Sequence, residues 1–190
     1  MKRAIDIVGA LVLLLILWPI LLILLLWIRV ETPGPAIFSQ LRVGKGGRQF
    51  ICYKLRTMDR GTASLPTHQT QASAITPLGN RLRRLKLDEL PQLYNVLAGD
   101  MSLVGPRPCL PTQVELVEAR RRLGVLDVRP GITGLAQVRG IDMSDPERLA
   151  QIDAQYAKSV SVRADMRLIL ATLCGGGMGV DRIVRSQNQG

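Results

Sequence analysis

The feature that most constrains this chain of 190 residues is an apolar segment near its N terminus. No charged residue occurs in residues 7–28. A helix of that length, at about 1.5 Å per residue, just covers the roughly 30 Å hydrocarbon core of a bilayer. The segment therefore predicts a helix that contacts lipid, and the rest of the chain is long enough for one further domain.

Three arrangements are compatible with this segment. A single transmembrane helix is the simplest. A cleaved signal peptide, which Lys2 and Arg3 would introduce, fits less well because the apolar run exceeds the usual length and no clear cleavage site follows. A re-entrant helix, which enters the membrane and returns to the same side, is favoured by Pro19, directly after Trp18, because proline removes a helical hydrogen bond and kinks the helix.

The charges at the two ends of the segment also favour the re-entrant arrangement. Lys2 and Arg3 precede it and further basic residues follow it, so the positive-inside rule does not choose between the ends. A helix that returns would put both basic flanks on the cytoplasmic side. We expect Arg3 to pair with Asp6 on the first turn, since an unpaired carboxylate near lipid is costly.

The charge of the whole chain narrows the class of partner. The formal net charge is +10 and the pI is about 10.4, which favours nucleic acid, anionic lipid or a phosphorylated substrate. Aromatic residues make up only 4% of the chain, which argues against a single-strand nucleic-acid binder because such proteins stack bases on aromatic rings. Three widely spaced cysteines and one histidine argue against a zinc site and a disulfide framework.

The pattern of residues predicts an α+β fold that is mostly helical. We expect a re-entrant membrane helix over residues 1–30, a domain at the membrane interface over 31–174 and a flexible tail over 175–190. Short strands are predicted at 36–40 and 49–55, and a mobile polar loop that contains His68 at 60–77. Amphipathic and other helices are predicted at 78–86, 88–97, 113–123, 145–158 and 163–173.

The residues that indicate chemistry lie between positions 81 and 108. Asp88 and Glu89 are adjacent, and by itself such a pair suits a first helical turn, where it complements the helix dipole. Four cations precede the pair, namely Arg81, Arg83, Arg84 and Lys86. Arg107 follows between two prolines that fix its backbone, and arginine binds phosphate bidentately. Carboxylates beside cations can hold Mg²⁺ or attack phosphorus, so the group indicates phosphate chemistry.

Several ordered motifs resemble the bacterial sugar transferase family, the small monotopic phosphoglycosyl transferases. They are LDELPQLYNVL at 87–97, GDMSLVGPRP at 99–108, VRPGITGLAQV at 128–138, YKLRTM at 53–58 and KRAID at 2–6 ahead of the apolar run. The resemblance covers nearly the whole chain up to about Leu173. It departs at Trp18 and Lys86, where serine is common, at Leu135, where tryptophan is frequent, and at Ile141, where an arginine is missing that Arg139 would replace.

The resemblance implies a specific reaction. Asp88 is the nucleophile that attacks the phosphate next to the sugar of a UDP-sugar, expels UMP and passes the phosphosugar to polyprenol phosphate, normally undecaprenyl phosphate. This is the first membrane step of bacterial glycan assembly, at the cytoplasmic face of the inner membrane. It also implies a membrane helix broken at Trp18 and Pro19. Mg²⁺ is the expected cofactor.

The expected site residues follow from the motifs and from that resemblance. Asp88 and Glu89 are the expected catalytic residues, and Asp88, Glu89 and Asp100 are the candidate metal ligands. The expected substrate-binding residues are Lys54, Arg56, Arg83, Gln92, Asn95, Arg107 and Arg129. The expected membrane residues are Arg3, Asp6, Trp18 and Pro19. The run Arg120, Arg121 and Arg122 is expected to form a solvated or lipid-facing basic surface.

Two other functions compete with this interpretation. One is a membrane-tethered module that binds anionic lipid or nucleic acid through its basic surface, although it gives no reason for the acid pair. The other is a direct glycosyltransferase, which would release UDP instead of UMP. We expect UDP-sugar, polyprenol phosphate and membrane lipid as partners, and no nucleic acid. The chain is expected to be a minimal catalytic unit, and a homodimer is compatible with its sequence.

Overall fold

Helices make up most of the described structure, and the predicted α+β class with short strands is confirmed. The computed structural model describes residues 1–59 and 74–174, so most of the predicted loop, with His68, and the predicted tail lie outside the described residues. The helices are α1 (Lys2–Glu31), α2 (Pro77–Arg84), α3 (Gln92–Ala98), α4 (Val114–Arg122), α5 (Leu135–Val138), α6 (Pro146–Lys158) and α7 (Val162–Leu173). The strands are β1 (Ile37–Val43), β2 (Gln49–Leu55), β3 (Ser102–Val104) and β4 (Gly131–Thr133).

The N-terminal helix α1 continues through Pro19. The expected break at Trp18 and Pro19 therefore does not divide it into two helices, because a proline removes one hydrogen bond and the flanking bonds persist. The re-entrant path stays a prediction. Within residues 1–59 and 74–174, α1 is the one helix long and apolar enough to cross a membrane, and only 11% of its most apolar window is buried.

Both ends of α1 pack on the same domain. Near its start, Ala10 joins an apolar cluster with Leu93 and Val96 of α3. Near its end, Ile28 joins a second cluster with Leu55 of β2 and Leu82 of α2. Along the helix between them, many large apolar side chains remain exposed, among them Val8, Leu11, Leu15, Ile16, Trp18, Ile23, Leu26 and Trp27. A surface of this size is typical of a face that lipid or another protein covers.

Strands β1 and β2 form an antiparallel hairpin, as predicted, although β1 extends to Val43 instead of ending at residue 40. Its turn contains Gly46 and Gly47, whose positive φ angles of 68° and 78° suit glycine. Across the hairpin, Phe38 pairs with Lys54 and Arg42 pairs with Phe50. The hairpin therefore fixes the positions of two cations, Lys54 and Arg42.

Strands β3 and β4 pair in parallel, which the sequence analysis did not predict. Strand β4 (Gly131–Thr133) lies within the motif at 128–138. The pairing needs glycine, since a Cβ on Gly131 would lie 2.0 Å from the backbone nitrogen of Gly105. This contact brings two of the sequence motifs together beside the expected site.

Candidate active site

The turn that carries Asp88 and Glu89 differs from the predicted helix over 88–97. Lys86 has a left-handed backbone with φ of 57°, and Leu87–Glu89 then form one turn of 3₁₀-helix. The α-helix α3 starts only after Pro91. The acid pair therefore lies in a separate tight turn, and helical spacing does not put Gln92 and Asn95 on the face of Asp88.

Glu89 is the anchored member of the acid pair. It is 7% exposed, and its Oε1 accepts hydrogen bonds from Lys54 Nζ at 3.0 Å and from Arg107 Nη2 at 2.6 Å. Burial opposes the charge of Glu89, but Arg107 and Lys54 outweigh it and hold the pKa of this carboxyl well below its usual value. Glu89 thus stays ionised and joins β2 to the Pro-Arg-Pro segment.

Asp88 is the open member of the pair. It is 9% exposed, and no hydrogen bond or ion pair from residues 1–59 or 74–174 engages its carboxylate. Burial, and then repulsion from Glu89, raises the pKa of Asp88. A carboxylate with a raised pKa is more basic and hence a better nucleophile once it is ionised.

Arg83 is held beside this pair by close packing of α2. A Cβ on Gly79 would lie 2.2 Å from the carbonyl oxygen of Thr57, so α2 lies directly on the backbone that follows β2. Arg83 Nε donates to the hydroxyl of Thr57 at 2.9 Å. Burial lowers the pKa of Arg83, and the negative charge of Asp88 opposes this shift without cancelling it.

The structure therefore brings together Asp88, Glu89, Lys54, Arg83 and Arg107. Three cations surround two carboxylates, which leaves an excess of positive charge beside the open Asp88. Such an excess suits a diphosphate, because phosphate oxygens bind arginine and lysine through charge-assisted hydrogen bonds.

Other expected binding residues have structural partners instead. Arg56 donates to the carbonyl of Thr32 at 2.5 Å and thus caps the C terminus of α1. Arg129 Nε donates to the carbonyl of Gly99, just after α3. Asn95 is fully buried and binds β2, accepting from the amide of Tyr53 and donating to the carbonyl of Ile51. Gln92 is also buried, on the same helix.

The first turn of α1 is pinned to the domain, although not through the expected Arg3–Asp6 pair. Asp6 instead accepts hydrogen bonds from Ser102 and from the amide of Leu103, with Lys2 3.8 Å away. Arg3 donates to the carbonyl of Leu97 at 3.2 Å. The prediction of that pair is wrong because the last carbonyls of α3 need donors, which Arg3 supplies.

The acid pair fits a magnesium ion better than the expected set of three acids does. In the described ranges 1–59 and 74–174, no three acidic, cysteine or histidine side chains form a group that could hold a metal. Asp100 lies beyond the far end of α3 and accepts from the amide of Asn95 at 3.3 Å. Mg²⁺ needs only one or two carboxylates when phosphate oxygens and water complete its shell. Asp88 and Glu89 meet that need. Lys54 and Arg107 both bind Oε1 of Glu89, so the other oxygen of Glu89 and the carboxylate of Asp88 are available to the ion.

Sequence reasoning missed two arginines near the site. Arg120 was assigned to an exposed basic surface, but it is 2% exposed and paired with Asp153 at 2.6 Å. The assignment is wrong because the helical position of Arg120 faces α6. Arg42 of β1 was counted only among the basic residues that follow the apolar segment, and it donates to the carbonyl of Pro108 at 3.0 Å. The signal that could have found Arg42 is its place in a strand paired with the strand of Lys54.

An exposed apolar helix joined to a cationic site around two buried carboxylates defines a membrane-associated domain that handles phosphate groups. The chain belongs to the bacterial sugar transferase family, which residues 1–176 match. Several of its relatives are named as sugar phosphotransferases, which are transferases of phosphorus-containing groups.

Three curated relatives illustrate the match. The chain is 41% identical to a UDP-glucose:undecaprenyl-phosphate glucose-1-phosphate transferase of Caulobacter vibrioides, over 90% of this chain and 68% of that protein. It is 39% identical to the galactosyl transferase CpsE of Streptococcus agalactiae, over 90% of this chain and 41% of that protein. It is 37% identical to a UDP-N-acetylgalactosamine-undecaprenyl-phosphate N-acetylgalactosaminephosphotransferase of Aeromonas hydrophila, over 90% of this chain and 42% of that protein. The chain thus spans about two thirds of the first relative and about two fifths of the others.

Proposed function

We propose that this protein transfers a sugar 1-phosphate from a UDP-sugar to undecaprenyl phosphate and releases UMP. The observation that carries the proposal is the open carboxylate of Asp88 beside Glu89, which is held by Lys54 and Arg107. The names of the relatives support both substrates. Those relatives act on different sugars, so the proposal names the class of donor and not one sugar.

The reaction is proposed to take two steps. In the first, a carboxylate oxygen of Asp88 attacks the phosphorus next to the sugar, the bond to the second phosphate breaks, and UMP leaves. In the second, an oxygen of the lipid phosphate attacks the same phosphorus and displaces Asp88. Covalent capture divides a transfer between a soluble donor and a membrane acceptor into two displacements at one site.

The cations around Asp88 have a defined role in both steps. Arg107 and Lys54 hold Glu89, and Arg83 interacts electrostatically with the open carboxylate of Asp88. Their positive charge lowers the energy of the phosphoryl oxygens in the transition state, because a fixed charge in a partly buried site needs little reorganisation. Mg²⁺, held by Asp88 and Glu89, would neutralise charge on the diphosphate.

The released nucleotide tests the proposal directly. Purified protein, a panel of UDP-sugars, Mg²⁺ and undecaprenyl phosphate should yield UMP and a lipid diphosphate sugar. Release of UDP would instead identify a direct glycosyltransferase. Salt-sensitive binding to anionic vesicles without release of either nucleotide would identify the basic binding module.

We also propose that both ends of α1 lie on the cytoplasmic side of the membrane. At the start, Lys2 Nζ is 2.5 Å from Asp165 of α7, and at the end Arg56 holds the carbonyl of Thr32. A straight span of about 30 residues at 1.5 Å each would separate these ends by about 45 Å, across the hydrocarbon core. Although α1 is continuous, one domain contacts both of its ends, and this supports a placement in which both ends lie on one side of the membrane.

Labelling of single cysteines is expected to show this topology. A cysteine at position 2 and one at position 32, each in a background without native cysteines, should both resist a membrane-impermeant maleimide in intact cells and react after permeabilisation. Position 2 is paired with Asp165, so a cysteine placed before Met1 in a short extension serves as a matched accessible control. If the cysteine at position 2 or the one before Met1 is labelled from outside intact cells, the helix is a simple transmembrane span.

A further inference from the structure

The segment that carries Arg107 is held by its carbonyl groups. Pro106 and Pro108 have no N–H group, so the backbone around Arg107 offers few donors of its own. Four consecutive carbonyls nevertheless accept hydrogen bonds, those of Pro106, Arg107, Pro108 and Cys109. The donors are the amide of Gly131 at 2.9 Å, Arg120 Nη1 at 2.8 Å, Arg42 Nη1 at 3.0 Å and the amide of Val43 at 2.9 Å.

The two middle carbonyls receive their hydrogen bonds from arginine side chains. Arg120 is itself fixed, since its Nε and Nη2 donate to one carboxylate oxygen of Asp153 at 3.1 and 2.6 Å. Arg120 and Asp153 are each 2% exposed. Burying an ion pair this deeply costs desolvation energy that hydrophobic packing would avoid, so its presence here suggests a geometric purpose.

Arg42 fixes the next carbonyl from the other side. It extends from β1, where Gln40 accepts from its Nη2 at 2.5 Å, and its Nη1 reaches the carbonyl of Pro108. The remaining nitrogen, Nε, is buried without a hydrogen-bond partner among residues 1–59 and 74–174. Arg42 therefore leaves one hydrogen bond, at Nε, unmade, while its Nη1 contacts the Pro-Arg-Pro segment.

We propose that Arg42 and Arg120 are positioning residues, whose guanidinium groups hold the carbonyls of Pro108 and Arg107 so that the Arg107 side chain is aimed at Glu89 and the substrate diphosphate. The proposal rests on the proposed function only in assuming that Arg107 serves the reaction. Its physical basis is that the two carbonyls belong to consecutive peptide units, those between residues 107 and 108 and between 108 and 109, so holding both fixes the backbone that follows the Arg107 Cα. A shift of about 1 Å in an oriented group can cost about 100-fold in rate.

A double-mutant cycle tests the proposal. Arg120→Lys and Arg42→Lys keep the charge but remove the planar group that reaches two partners at once. Each substitution is expected to lower kcat/KM by about 10- to 100-fold. The melting temperature of Arg42→Lys should change little, because Arg42 is less buried than Arg120. In an Arg107→Ala background, the same substitutions should lower kcat/KM by no more than about two-fold, because their effect passes through Arg107.

Arg122→Lys is the matched control on α4. Arg122 is exposed and pairs with Glu147, away from the Pro-Arg-Pro segment, so its activity should stay unchanged. Losses that remain equally large in the Arg107→Ala background would overturn the proposal, as would losses that only track the fraction of folded protein. If Arg120→Lys does not fold, the cycle with Arg42→Lys decides.

The cycle also separates this proposal from the proposed function. The rates in the cycle are measured as release of whichever nucleotide the wild type produces. Release of UDP would therefore refute the proposed function, but the double-mutant cycle could still be interpreted. Release of UMP together with additive losses would leave the proposed function standing and refute the positioning role.

Discussion

Replacement of Asp88 by asparagine is expected to remove essentially all turnover. The amide keeps the shape of the side chain but is a far weaker nucleophile than a carboxylate, and no other open carboxylate among the described residues lies between Arg83, Lys54 and Arg107. Loss of a covalent nucleophile lowers rates by several orders of magnitude, about 10⁴-fold or more. The measurement is release of UMP under single-turnover conditions.

The wild-type protein supplies the complementary result. Incubation with UDP-sugar and Mg²⁺ but without lipid should release one UMP and leave one sugar phosphate on Asp88, visible in the intact mass and in the labelled peptide. If no adduct forms and UMP release requires the lipid acceptor, direct attack by the lipid phosphate is the mechanism. Asp88 would then serve only as a metal ligand.

Loss of activity in Asp88→Asn should not come from unfolding. The pKa of Asp88 is raised by burial and by Glu89, so at neutral pH the folded state bears a penalty for its charge that the unfolded state lacks. Removing the charge should leave the melting temperature in metal-free buffer unchanged or higher. Glu89→Gln is the contrasting variant, because the pKa of Glu89 is lowered and its charge neutralises Lys54 and Arg107. Loss of this buried charge should lower the free energy of unfolding by about 3 kcal/mol.

Arg107→Ala is expected to lower kcat/KM by about 100-fold or more. One nitrogen of Arg107 binds Glu89 at 2.6 Å, and the side chain is one third exposed, so its other donors are open to a ligand. Loss of one oriented charge beside a transferring phosphate typically costs about 10²- to 10³-fold. The measurement is steady-state release of UMP with saturating lipid acceptor.

Arg107→Lys should rescue this loss poorly. Lysine has one nitrogen, which cannot hold Glu89 and contact a phosphate in the planar geometry of a guanidinium. Arg148→Ala, an exposed position on α6, removes the same charge and serves as the control for long-range electrostatics. Near-normal turnover of folded Arg107→Ala would remove Arg107 from the site.

The composition of the candidate site could be predicted better than its geometry. Lys54, Arg83, Asp88, Glu89 and Arg107 were all expected, and they meet in the structure because their motifs lie on adjoining elements. The separate turn of the acid pair was not expected. Its cause is local, since Lys86 takes a left-handed backbone and Pro91 delays the start of α3, but the sequence alone leaves a continuous helix equally acceptable.

Partners of individual arginines could not be predicted at all. Arg56, Arg120 and Arg129 have the same chemistry as Arg107, yet they hold Thr32, Asp153 and Gly99. Which anion or carbonyl an arginine meets depends on residues far away in the chain. Arg120 and Asp153, for example, meet only because α4 packs on α6.

The sequence by itself determined the apolar helix, the β1–β2 hairpin and the approximate spans of the later helices, because hydrophobic periodicity, turn glycines and helix caps act between neighbours. The tertiary structure decided the parallel pairing of β3 with β4, the packing of both ends of α1 on one domain and the hydrogen bonds to the carbonyls around Arg107. Each of these joins residues that are distant in sequence. Such contacts form only when glycine positions such as 105 and 131 let two backbones approach and buried charges find their partners, and no local pattern encodes that outcome.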